Sequence, residues 1–118
     1  TLTIMSKRDE LIVKYAADIK DKFGETPNMD LLTKVAIGLG PAIYNADASK
    51  VSGGDMKEKE TVKNNFLIKK LGMKESADMM PAIESVLEKY GSSNKNKHRA
   101  VVYYMLAKHF KKESVYNK

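Results

Sequence analysis

Residues 100–107 read Ala100-Val101-Val102-Tyr103-Tyr104-Met105-Leu106-Ala107, the longest unbroken apolar run in the chain. At eight residues it is far too short to span a bilayer, which takes about 20. At 100° per residue, Val102, Tyr103, Leu106, Ala107 and Phe110 gather on one broad arc that should face a core. The opposite arc holds Lys97, Lys108 and Lys112 with Val101, Tyr104 and Met105 set between them. A solvated face has no need of those three apolar residues. Either this helix is surrounded by others in its middle and wet only at its ends, or it displays an apolar patch ringed by lysines for an acidic partner.

Outward from this run, the same helical grammar repeats. Ser6 is a good N-cap with Asp9 three residues on, and Ile12, Ala16, Ile19 and Phe23 recur at helical spacing until Gly24. Thr26-Pro27 is expected to open a second helix, because proline at the first position gives up an N–H that has no partner anyway. Its stripe is Leu31, Leu32, Val35, Ala36 and Leu39, closed by Gly40-Pro41, with an extra short helical turn at Ala42 to Asn45. A third segment runs from Asp55 to Leu71 and carries the buried triplet Phe66-Leu67-Ile68. A fourth begins near Asp78, tolerates Pro81 in its first turn, and ends at Gly91. Ser92-Ser93-Asn94 should cap the last helix, which is expected to reach about Glu113. No stretch alternates as a strand would, and no hairpin dipeptide occurs. The fold expected is an all-α, compact bundle of five main helices. A faint echo at a shift of 48 residues (Phe23-Gly24 on Leu71-Gly72) follows from building two helical hairpins by the same rules.

With 118 residues and 42% hydrophobic content, the chain is expected to form one helical domain, residues 1–118, with 1–5 and 114–118 as flexible ends. Met5-Ser-Lys-Arg-Asp-Glu resembles a natural start, so Thr1 to Ile4 is expected to be an upstream extension. Cysteine is absent, which removes disulfides, thiolate nucleophiles and cysteine-bound zinc, and fits a reducing cytoplasmic setting.

The net charge of +6 is unevenly placed. Residues 1–93 hold 14 basic and 14 acidic residues, whereas 94–118 hold seven basic residues and only Glu113. This asymmetry suggests an acidic protein or nucleic acid as partner, or a basic tail that aids solubility. With 19 lysines against two arginines, Arg8 and Arg99, the composition supports weak, non-specific nucleic-acid attraction rather than base readout.

Sites for chemistry are hard to assemble. His98 and His109 would stand about 16 Å apart on one helix, and His98 has no carboxylate at i+3 or i+4, so no metal is expected. Asp47 to Glu58 spaces superficially like a calcium loop. Val51 and Ser52 occupy the positions that need a ligand and a glycine, and Lys50 adds the wrong charge. Ser52-Gly53-Gly54-Asp55 precedes a helix, but Asp55 takes the capping site a phosphate would need. Ser92 and Lys95 form a Ser-x-x-Lys pair, which eight serines and 19 lysines supply by chance. No cofactor is expected.

Four stretches together carry a resemblance: Ser6-Lys-Arg-Asp-Glu-Leu, Ile37-Gly-Leu-Gly-Pro-Ala-Ile-Tyr-Asn-Ala-Asp, Val62-Lys-Asn-Asn-Phe-Leu-Ile-Lys-Lys-Leu-Gly and Ala100-Val-Val-Tyr-Tyr-Met-Leu-Ala-Lys-His-Phe. In these the chain is similar to a small bacterial family known as domain of unknown function number 2853. The resemblance implies a stand-alone bacterial protein and carries over no catalytic residue. The function expected from the residues themselves is a non-enzymatic cytosolic binding or adaptor protein. Its contacts would come from Lys97, Tyr104, Lys108 and Lys112 on the basic C-terminal helix. The alternatives are a weak non-specific nucleic-acid binder and a small enzyme with a site near Tyr44, Asn45, Asp47 and Asp55.

Overall fold

Apolar residues three and four apart give a helix one face that must be covered, and three such faces here close around the last helix. In a computed structural model, which describes residues 7–45, 49–51, 56–91 and 97–116, the protein is an all-α bundle. The first helix, α1, spans Lys7–Phe23 and buries Ile12, Tyr15, Ile19 and Phe23. Asp9 and Glu10 in its first turn and Lys20 and Lys22 in its last complement the helix dipole. Gly24, at φ 64°, makes the left-handed stop. Ser6 lies outside the described residues.

The second helix, α2, spans Met29–Leu39 and starts later than Thr26-Pro27 suggested. Asn28 is its cap: extended in backbone, it accepts the Leu31 N–H on its side-chain oxygen at 3.1 Å. Gly40–Tyr44 follows as a 3₁₀ turn, the extra turn expected near Ala42.

The third segment departs from regular geometry. α3 spans Met56–Thr61 and passes without a break into a π-helix, Val62–Ile68. Lys69 N–H bonds to Asn64 C=O at 3.2 Å and Leu71 N–H to Phe66 C=O at 2.8 Å, each a five-residue step. In an α-helix, Leu67 and Leu71 would stand about 140° and 180° round from Val62. The wider turn brings them back, so Val62, Phe66, Leu67 and Leu71 are all buried.

The fourth helix, α4, spans Met79–Gly91, with Pro81 in its first turn, and buries Met79, Ala82, Ile83, Val86, Leu87 and Tyr90. The last, α5, spans Arg99–His109 and packs against α1, α2 and α4. Every residue from Ala100 to Ala107 is buried. The enclosed-helix reading therefore describes its middle, where Val101, Val102 and Leu106 each stabilise the fold by about 1.5–3 kcal/mol.

α5 is shorter than expected at both ends. It begins at Arg99, five residues past Asn94, and Ser92 to Asn94 lie outside the described residues. It ends at His109 because Lys111 adopts φ 57°. Lys112 N–H then reaches Ala107 C=O at 2.8 Å and Lys111 N–H reaches Lys108 C=O at 3.1 Å, the paired bonds of a Schellman turn. A 3₁₀ turn, Glu113–Tyr116, follows. Among the described residues there is no strand, only one antiparallel bridge between Lys50 and His98. It rests on Val51 N–H to Lys97 C=O at 2.8 Å and Arg99 N–H to Ser49 C=O at 2.7 Å.

Two stability tests follow from these geometries. Lysine at a left-handed position carries a steric cost that glycine avoids, so Lys111→Gly should raise unfolding stability by about 0.5–1 kcal/mol in a denaturant titration. Tyr104 Oη accepts the backbone N–H of Asn28 at 2.8 Å. Tyr104→Phe should therefore leave the helical circular dichroism unchanged and cost roughly 0.5–1.5 kcal/mol.

Candidate functional site

The four expected contact residues do not share one surface. Lys97 precedes α5 and is only 4% exposed; burial holds its ammonium below the usual lysine pKa. Tyr104 is 0% exposed, with its hydroxyl committed to α2. Lys112 lies past the Schellman turn, half-buried. Lys108 is the one of the four that reaches solvent from α5 itself. Its Nζ is 3.3 Å from Glu25 Oε1, just beyond the end of α1, and 5.5 Å from the Tyr104 ring centre. Burial would lower the Lys108 pKa, but Tyr104 and the Glu25 carboxylate outweigh it and hold it above the ordinary value. The structure thus joins Tyr104 and Lys108, and leaves Lys97 at the far end of α5.

Around Lys108 lies a cavity of about 300 Å³ where the C-terminal ends of α1, α4 and α5 meet. Phe23, Val86 and Met105, all buried, form its apolar floor, and Lys89, Lys108 and His109 bring basic groups to its rim. Lys89 was not singled out from the sequence, and His109 was weighed there only as a metal ligand. Their signal was available: Lys89 occupies the last turn of α4, as Lys108 and His109 do in α5. Cations are favoured there by the helix dipole, so such residues usually read as simple end-charges. The convergence of the two helix ends needs the tertiary structure.

Arg99, at the other end of α5, is engaged within the protein. The Arg99 guanidinium is paired with the Glu58 carboxylate and also donates to Lys50 C=O at 3.2 Å and to Tyr103 Oη at 3.3 Å. Tyr103 in turn stacks on Phe66, ring centres 3.9 Å apart and planes 10° from parallel. The arginine fork that could grip a phosphate is closed on the protein itself.

A second polar cluster escaped the sequence entirely. Tyr90 Oη donates to Asp18 Oδ2 and accepts the His98 backbone N–H at 3.3 Å. His98 Nε2 is 3.9 Å from the same Asp18 oxygen, and its ring leans on Tyr15 with centres 5.1 Å apart. Burial first, then the hydrogen bond to Asp18, pushes the Tyr90 hydroxyl pKa up. Burial and the nearby Tyr44 push Tyr15 up to about 12. Looking for a carboxylate at i+3 or i+4 from His98 missed Asp18, which arrives from α1. As an acid–base dyad the arrangement is loose, because Nδ1 is buried and Nε2 stands 3.9 Å from Asp18, beyond a hydrogen bond. In the alternative enzyme site, Tyr44 and Asn45 are exposed, while Asp47 and Asp55 lie outside the described residues.

Among the described residues, no three His, Asp or Glu side chains converge as metal ligands, and no helix is long and apolar enough to cross a membrane. No curated protein matches the sequence. The model of the family described as "Protein of unknown function (DUF2853)" matches residues 14–114, a span that includes Glu25, Lys89 and Lys108 at the cavity and Asp18, Tyr90 and His98 in the polar cluster. The chain belongs to the DUF2853 family.

Proposed function

We propose that the protein is a non-enzymatic binding or adaptor protein whose partner is an acidic protein segment carrying an apolar side chain. The observation that supports this reading is the cavity of about 300 Å³ that sets Lys89, Lys108 and His109 over a floor of Phe23, Val86 and Met105. Its volume is at the small end for ligand sites, which suits one apolar side chain with an adjacent carboxylate better than a large cofactor. Glu25 and Tyr104 hold the Lys108 ammonium in place before any partner arrives, which lowers the ordering cost of binding. A partner carboxylate would compete with Glu25 for that ammonium. Lys112, one turn beyond, would add long-range attraction. Nucleic acid is the weaker reading because Arg99 is engaged by Glu58 and the remaining lysines attract phosphate without orienting it. The setting we propose is a bacterial cytoplasm, in keeping with a chain that has no cysteine.

Fluorescence polarisation with a labelled peptide alternating Asp/Glu with Leu/Phe, beside a labelled single-stranded oligonucleotide, tests this. The peptide should bind, and the double variant Lys89→Glu/Lys108→Glu should weaken it by roughly tenfold or more, about 1.4 kcal/mol. Its thermal midpoint should change little, since a half-exposed pair such as Glu25–Lys108 contributes below about 1 kcal/mol. Peptide affinity untouched by the double variant, or an oligonucleotide that binds while the peptide does not, would overturn the reading.

A further inference from the structure

We propose that His98 is a pH-operated latch: in its neutral form it fastens the Ser49–Val51 segment to the start of α5, and taking up a proton releases that bridge. Three chain segments meet at this residue. Its backbone forms the bridge with Lys50, flanked by the Val51–Lys97 and Arg99–Ser49 hydrogen bonds. Its N–H is held by Tyr90 of α4, and its ring packs on Tyr15 of α1. The ring can serve this position only while uncharged. Nδ1 is buried and has no hydrogen-bond partner among the described residues, so a proton there would be a donor sealed from water. The neutral form with its hydrogen on Nε2, toward Asp18, avoids this.

The charged groups around the ring decide the direction. Asp18 and Tyr15 face it from α1 together with Lys14, Lys50 faces it from the bridging segment, and Tyr90 from α4. Asp18 favours the protonated ring, but its Nε2 distance of 3.9 Å is beyond a hydrogen bond, and the same oxygen already accepts from Tyr90. Lys14 and Lys50 oppose protonation. Burial is the largest influence and, with the two lysines, holds His98 below its ordinary 6.5 despite Asp18. A histidine with a depressed folded pKa binds its proton more readily when unfolded. The stability it contributes is therefore complete above 6.5 and is lost as the pH falls from there through the folded value. Local opening of the bridge lets the protonated ring reach water at a smaller cost than unfolding the bundle.

The test is an NMR titration from about pH 7.5 to about pH 5 in a His109→Gln background, so that a single imidazole is followed. The expected result is a His98 midpoint below 6.5, with the Val51 and Arg99 amide resonances shifting toward random-coil values at the same midpoint. His98→Gln should flatten the thermal midpoint across that range, and the single-imidazole titration stands by itself if that variant fails to fold. A His98 midpoint at or above 6.5, or Val51 and Arg99 amides that ignore the titration, would overturn the latch.

Discussion

The structure depends on enclosing the middle of α5. A helix apolar on every side cannot face water anywhere along its buried length, so α1, α2 and α4 must all lie against it and their own apolar stripes are fixed by that demand. Ile12, Tyr15, Ile19 and Phe23 on α1, Leu32 and Val35 on α2, and Ile83 and Leu87 on α4 all belong to the core that contains Ala100 to Ala107. The π-helix serves the same end. By bringing Val62, Phe66, Leu67 and Leu71 inward together, it lets a short segment bury four large side chains where an α-helix would bury two or three.

Enclosure has a cost wherever a polar atom is carried inside, and the chain meets it with partners from distant elements. The Tyr104 hydroxyl, in the centre of α5, takes the backbone N–H of Asn28, the residue that also caps α2. The Tyr90 hydroxyl takes Asp18. These bonds fix the register of α5 against α2 and of α4 against α1, which apolar packing by itself fixes less sharply. Polar chemistry is pushed to the ends of α5: the His98–Arg99 end with its bridge and ion pair, and the Lys108–His109 end with its cavity. Both polar clusters thus lie at helix ends around a buried pillar.

The helices themselves were legible in the sequence because their apolar spacing and glycine stops are local signals. Gly24, Gly40, Gly72 and Gly91 all adopt the positive φ that such stops require. Three things were not legible. Lys111 takes the left-handed position without being glycine, so the end of α5 was placed four residues too late. The π-helix leaves the composition of its segment ordinary. Polar pairs such as Asp18–His98 and Glu58–Arg99 join residues far apart in the chain, and no spacing rule along one helix finds them. Burial of Lys97 and Tyr104 has the same origin, since charge and polarity suggest exposure until the neighbouring helices are in place.

Native-state hydrogen exchange along α5 tests the enclosed pillar most directly. The amides from Val102 to Ala107 should exchange only through global unfolding, with an opening free energy equal to that from denaturant melting, while Arg99 at the bridged end opens more readily. Exchange of the Val102 to Ala107 amides by local opening, well below the global value and with α1 and α4 still protected, would contradict it.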